Sequence, residues 1–152
     1  MILNKLSSNN FFPPPISAGE LFSGASKPGQ DFPGTSVHRK HFGAKQDVFL
    51  PGDKAACVFI MRSGDAVMID KDVRHTSPAI CPSGEVPMFG IPELLGGGKF
   101  EIGLRTLSEC EFDIIDKQDF VNFVSDDPKV CFRLAAIISS LYQEAVNQLK
   151  NQ

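Results

Sequence analysis

The side chains able to do chemistry are few and dispersed. There are three histidines, His38, His41 and His75, and four cysteines, Cys57, Cys81, Cys110 and Cys131. A metal-dependent enzyme built on a β-roll, of the cupin kind, needs three or four inward His or Glu ligands at tight spacing. His38 and His41 stand three apart, which puts them on opposite faces of one strand, and no His-x-His pair occurs. The cysteines lie 21 to 29 residues apart, a spacing that fits no compact zinc or iron–sulfur motif. Apolar neighbours such as Val58-Phe59-Ile60 after Cys57 read as the surroundings of buried, reduced thiols. No Gly-x-Ser-x-Gly elbow is present, and Ser63 and Ser83 simply precede turn glycines. The run Gly96-Gly97-Gly98 can offer backbone N–H groups to an anion, with Lys99 adding one positive charge, or it can be a flexible hairpin tip. None of these patterns predicts an enzyme, and no cofactor is expected.

Composition narrows the remaining classes. At 152 residues the chain has room for one core, and its 13 phenylalanines give that core an aromatic bias. The formal net charge of −3 is spread without a dense Lys/Arg patch, so charge alone gives nucleic-acid binding little support. Met1 to Leu6 is apolar at four positions, but it lacks a basic start and a cleavage site, so no secretory signal is expected. No apolar run approaches the roughly eighteen residues of a membrane span, and a cytoplasmic protein is expected.

Three regions must position whatever site exists. Residues 1–36 read as an irregular Pro/Gly-rich arm, with Phe11-Phe12-Pro13-Pro14-Pro15 and Phe32-Pro33-Gly34 as its markers. Phe11, Phe12, Leu21, Phe22 and Phe32 can tack this arm to the core. Residues 37–115 read as short strands with turns between: Val37 to Phe42, Asp47 to Leu50, Ala56 to Met61, Ala66 to Asp70, Thr76 to Cys81, Phe100 to Leu107 and Glu111 to Ile115. Pro51-Gly52-Asp53 and Arg62-Ser63-Gly64-Asp65 are turn signals, with Gly52 and Gly64 free to take conformations costly to other residues. No helical pattern is expected inside this interval, so the fold class is mainly β, an antiparallel, jelly-roll-like β-roll.

Residues 116–152 change to a helical period. Asp116 can cap a short helix through Asp119, with Phe120, Phe123 and Val124 on one face. Asp127-Pro128 starts a second helix, along which Val130, Leu134, Ile137 or Ile138, Leu141, Ala145 and Leu149 recur at spacings of three and four. Leu134, Ile138 and Leu141 form a seam that can pack on the parent domain or on a second copy, and packing on a second copy with some contacts to the parent domain is expected.

Taken together, Val48-Phe49-Leu50-Pro51-Gly52-Asp53 and Val58-Phe59-Ile60-Met61-Arg62-Ser63-Gly64-Asp65-Ala66-Val67 resemble the cyclic nucleotide-binding domain. The form they resemble is the effector domain of the catabolite-activator/FNR regulator superfamily. Pro82-Ser83-Gly84-Glu85 and Phe89-Gly90 resemble the approach to the phosphate cassette. Arg105-Thr106-Leu107 and Cys110-Glu111-Phe112 resemble the strands leaving it, and Asp127-Pro128 with Leu134 resembles the start of the dimerisation helix. The likeness runs over residues 37–149 and implies a signal-sensing transcription-regulation domain that forms a homodimer through the C-terminal helix.

The same resemblance implies a cassette Glu holding the ribose and an Arg about ten residues on pairing with the cyclic phosphate, and here the chain departs from it. Gly90 is followed by Ile91 and Pro92, with Glu93 displaced, and the Arg position falls at Phe100 beside Glu101. An apolar ring cannot donate to phosphate and a carboxylate repels it. Cyclic nucleotide binding in the family manner is therefore not expected. The pocket is assigned to Gly90, Ile91, Lys99, Phe100 and Arg105, the last with a surface salt bridge as its alternative. Haem or another small effector, with His75 and Cys81 near the interior, is a further reading by resemblance. The resemblance implies a helix-turn-helix domain after the long helix, and none is expected within residues 1–152. A structural or protein-interaction module without a small ligand is the second reading, and a cupin-like metal enzyme the third.

Overall fold

The computed structural model describes residues 12, 14–22, 37–81 and 84–150. Expectations resting on Phe11, Phe32 and Pro82-Ser83 lie outside the described residues. Among the described residues, nine strands form two antiparallel sheets. In chain order they are β1 (Ile16–Ser17), β2 (Val37–Phe42), β3 (Asp47–Phe49), β4 (Cys57–Ser63), β5 (Ala66–Ile69), β6 (Thr76–Pro78), β7 (Pro87–Phe89), β8 (Gly103–Thr106) and β9 (Cys110–Asp116). One sheet has the order β1-β7-β4-β9-β2 and the other β3-β8-β5-β6. Among the described residues, four helices join them: α1 (Ala18–Phe22), α2 (Ile91–Leu95), α3 (Lys117–Asp126) and α4 (Pro128–Lys150). This is the antiparallel β-roll with a C-terminal helical segment that the turn-punctuated strands imply.

Alternation along the strands builds the interior. On β4, Phe59 reaches Phe49 of the facing sheet, with ring centroids 5.3 Å apart. Met61 shares that face, beside Phe112, which meets Phe42 edge-on at 5.4 Å. The facing sheet contributes Ala66, Met68 and Leu104, all buried. Val58, Ile60 and Ile115 point to the other face, which α3 covers, so this sheet is apolar on both sides. Gly64 turns β4 into β5 with φ 95°, and a Cβ there would collide with the Glu109 carbonyl, so the hairpin can close this tightly only on glycine.

The helix starts follow from their caps. The Asp116 carboxylate accepts a hydrogen bond from Asp119 N at 3.0 Å, which starts α3. Asp127 accepts from Lys129 N at 3.1 Å, and Pro128 opens α4. Val130, Leu134, Ile137 and Ala145 of α4 are buried, and Ile138 and Leu141 pack partly on the core.

Four elements depart from expectation. The arm is regular over Ile16–Phe22: β1 pairs with β7, and α1 buries Leu21 completely, with Phe12 and Phe22 tacked on the core. Residues Pro87–Phe89 form a buried strand between β1 and β4. A helix, α2, does occur inside the roll, five residues long with Pro92 in its first turn, too short to show a helical period. The strand expected over Phe100 to Leu107 is regular only at Gly103–Thr106. Phe100 N donates instead to Asp53 O at 2.9 Å, and Phe100 O accepts from Gly52 N at 2.7 Å.

Candidate effector site

Gly90 stands at the head of α2 with φ 97° and ψ −2°. A Cβ at that position would lie 2.9 Å from the Cys57 carbonyl oxygen and 3.2 Å from Phe100 Cζ. Glycine therefore lets the α2 turn press onto β4 and onto the Phe100 ring. Ile91, the next residue, is fully buried. The Phe100 ring stacks on Phe49 at 3.8 Å and 16°, and Phe59 stands 6.3 Å from Phe100. Gly90, Ile91 and Phe100 thus come together, and the space they share is filled by aromatic carbon.

The polar groups are spent elsewhere. Among the described residues, the buried polar ones are Ser17, Thr106 and Asp113. Ser17 Oγ donates to Glu85 Oε2 at 2.6 Å, and Thr106 Oγ1 donates to Gly43 O at 2.6 Å. Asp113 takes Arg39 Nε and Arg62 Nε, each at 2.6 Å. Among the described residues, no buried side-chain nitrogen or oxygen lacks a partner. A ligand entering here would find none waiting to be paired.

The glycine run does not form an anion cradle. Gly96 N donates to Pro92 O at 3.0 Å, Gly97 N to Leu94 O at 3.2 Å and Gly98 N to Glu93 O at 3.0 Å. All three N–H groups close the end of α2. Lys99 is exposed and forms a backbone bridge with Lys54. Arg105 lies on the outer side of its sheet, where Nε donates to Asp47 Oδ1 at 2.8 Å. It rims a shallow surface dish of about 340 Å³ with Leu50, Ile69, Lys71 and Val73. Lys99 and Arg105 therefore stand apart from the Phe100 cluster. Glu93 is half-buried on α2, and burial pushes its carboxyl up, with Glu101 adding to the effect.

The remaining reactive groups are on the surface or quiet. His75, expected near the interior, is exposed on the β5–β6 hairpin, with Nδ1 2.7 Å from Asp70 Oδ2. His38 and His41 are exposed on β2. Among the described residues, no three His, Cys, Asp or Glu side chains converge where a metal ion could sit. Cys81 and Cys110 are buried and Cys57 is half-buried, and burial pushes all three thiols up, which suppresses the reactive thiolate. Cys131 departs from the expected burial and is exposed on α4.

On α4, Leu134 faces the parent domain and is 5% exposed. The opposite side of the helix carries Phe132, 77% exposed, with Ala135, Ala136 and Ser139 exposed around it. Phe132 falls outside the Val130-Leu134-Ile137-Leu141 stripe, and that misfit is the one sequence signal for a second apolar face.

No family model matches the chain, and no curated protein matches its sequence. Solved structures do. The catabolite activator protein of Thermus thermophilus matches with a TM-score of 0.65 at 19% identity, over 76% of this chain and 55% of that one. The c-di-GMP responsive global regulator CLP of Xanthomonas campestris matches with a TM-score of 0.56 at 20% identity, over 76% and 59%. The EAL enzyme Bd1971 in its half-site-occupied form matches with a TM-score of 0.55 at 23% identity, over 71% and 97%. The same enzyme also matches in cGMP-bound and cAMP-bound forms. The chain spans little more than half the length of the two regulators. The fold is the β-roll that these structures share. Among the described residues, no helix is long and apolar enough to cross a membrane.

Proposed function

We propose that this chain is a non-catalytic regulatory effector domain whose roll does not take a cyclic nucleotide in the manner of the catabolite-activator/FNR superfamily. The observation carrying this reading is the Phe49–Phe100 stack at 3.8 Å beside Gly90. Phe100 occupies the sequence position where the resemblance puts the phosphate-pairing Arg, and its ring offers no donor. Glu101 beside it would repel a phosphate. The filled interior also favours the second reading, an interaction module with no small ligand.

In this proposal the chain acts as a homodimer through α4 and passes its signal to an attached or partner protein. The dimer surface is the outward face, Phe132 with Ala135, Ala136 and Ser139, because Leu134 is already committed to the parent domain and Ile138 and Leu141 pack partly on it. An apolar side chain left this open fits a surface that a second copy covers.

Native mass spectrometry of the purified chain, alone and with cAMP or cGMP, tests both statements. A dimer with no nucleotide adduct is the expected result. A stoichiometric cyclic-nucleotide adduct would overturn the reading of the filled roll, and a monomer would overturn the reading of α4.

A further inference from the structure

We infer that Ile16–Phe22 is a detachable strap that clamps the first half of α4 to the roll and so governs how the long helix is presented. The inference rests on α4 being the signalling helix. The strap is held from two sides. On the roll side, β1 pairs with β7 only at Ile16–Met88 and Ser17–Pro87, and Ala18 N donates to Val86 O at 2.9 Å. Ser17 Oγ donates to the Glu85 carboxylate, which lies over Gly19 where a Cβ would collide with it. On the helix side, Arg133 Nε of α4 donates to Glu20 O at 3.0 Å. Leu21 is fully buried, and Phe22 meets Phe123 of α3 edge-on at 5.6 Å.

A five-residue helix cannot hold itself in water, and a two-residue edge strand adds little. Apart from the Glu20 N to Ser17 Oγ hydrogen bond at 3.2 Å, the strap persists through its docking, so its opening free energy lies below that of the whole domain. Opening releases Arg133 and empties the seat of Leu21, so the turns of α4 around Val130 to Ile137 lose a clamp. The strap thereby couples the β7 edge of the roll to the helix that carries the proposed dimer face.

The cysteines supply a readout. Cys81 is buried beside the residue that leads into the strap, with Sγ 4.0 Å from Pro15 O. Cys110 is buried in the roll, where its thiol donates to Asp65 O at 3.3 Å. The experiment is pulsed N-ethylmaleimide labelling of the full chain, read site by site by mass spectrometry, with hydrogen exchange of α4 in parallel. Cys131 should label at once, Cys81 at the rate of strap opening, and Cys110 only with global unfolding. Glu85→Ala and Arg133→Ala should each speed Cys81 labelling about tenfold, the weight of one charge-assisted hydrogen bond. Cys110 should keep its rate, which also shows that the variants fold, and the amides of Val130 to Ile137 should exchange faster. Cys81 and Cys110 labelling at one common rate would overturn the strap. Faster Cys81 labelling with unchanged α4 amides would overturn its coupling to the helix. Repeating both in a Phe132→Asp background separates a failed dimer from a failed strap, since the labelling order does not depend on a second copy.

Discussion

Phe100 and Phe132 are the same residue in two apolar regions, one 2% exposed between the sheets and the other 77% exposed on α4. The first region is closed by its own chain, through the Phe49–Phe59–Phe100 cluster and the Gly90 contact. The second is left open while the opposite side of the same helix is buried. The difference separates two uses of apolar surface. Side chains that contact one another across the roll stabilise this fold, whereas Phe132 gains nothing from it and fits a surface outside the chain. The sharpest test is Phe100→Ala. If the cluster is packed core, urea denaturation should show a loss of about 3–5 kcal/mol, because the stacked neighbours cannot collapse into the hole. A near-neutral change would mean that the space is an adaptable pocket, and the contrast with α4 would fail.

The contrast extends to charge, because the buried carboxylate lies on the outer face of the sheet and away from the aromatic cluster. Asp113 is 4% exposed and receives Arg39 Nε, Arg39 Nη2 and Arg62 Nε. Burial alone would push its carboxyl up, but the two guanidinium groups hold it below the usual carboxylate range. The folded form thus binds this proton less readily than the unfolded chain does. Its contribution is present above the ordinary Asp range near pH 4 and is lost as pH falls below it. Asp113→Asn should cost about 2 kcal/mol at neutral pH, a figure held down by the solvent exposure of Arg39. The variant should also lose part of the acid-induced fall in stability that the unmodified chain shows below about pH 4. An unchanged acid limb in thermal denaturation would show that the clamp is not what ties this strand trio together.

Much of the fold was legible because it rests on punctuation. Val37–Phe42 begins and ends where the sequence pattern put it, and the Gly64 turn, the Asp116 cap and the Pro128 start all carry local signals that tertiary structure did not override. What stayed hidden is what gains its order from distant partners. Pro87–Phe89 is three residues long and begins on a proline, so only its place between β1 and β4 makes it a strand. The segment Ile16–Phe22 is ordered by Glu85 and Arg133, 68 and 113 residues away. At the candidate site, the resemblance grouped Gly90, Ile91 and Phe100, and Gly90 does meet the Phe100 ring, but it could not show that the glycine N–H groups close α2 or that Arg105 turns outward to Asp47. Periodicity found the stripe on α4 yet could not say which body covers it.

That last ambiguity gives the smallest expected effect on the fold and the largest on assembly. Phe132→Asp removes an exposed ring from a helix face with no other tie to the roll, so thermal stability of the monomer should change by no more than about 0.5 kcal/mol. Sedimentation should shift from dimer to monomer, since two carboxylates would be driven into an apolar seam. Ile138→Asp makes the opposing case, because Ile138 packs on the core cluster. It should lower stability by about 2 kcal/mol or more while Phe132 remains available for pairing. If Ile138→Asp dissociates the dimer without loosening the fold, and Phe132→Asp leaves it intact, the two faces of α4 have the reverse roles. The sequence stripe, and not the exposed ring, would then be the surface that meets a second copy.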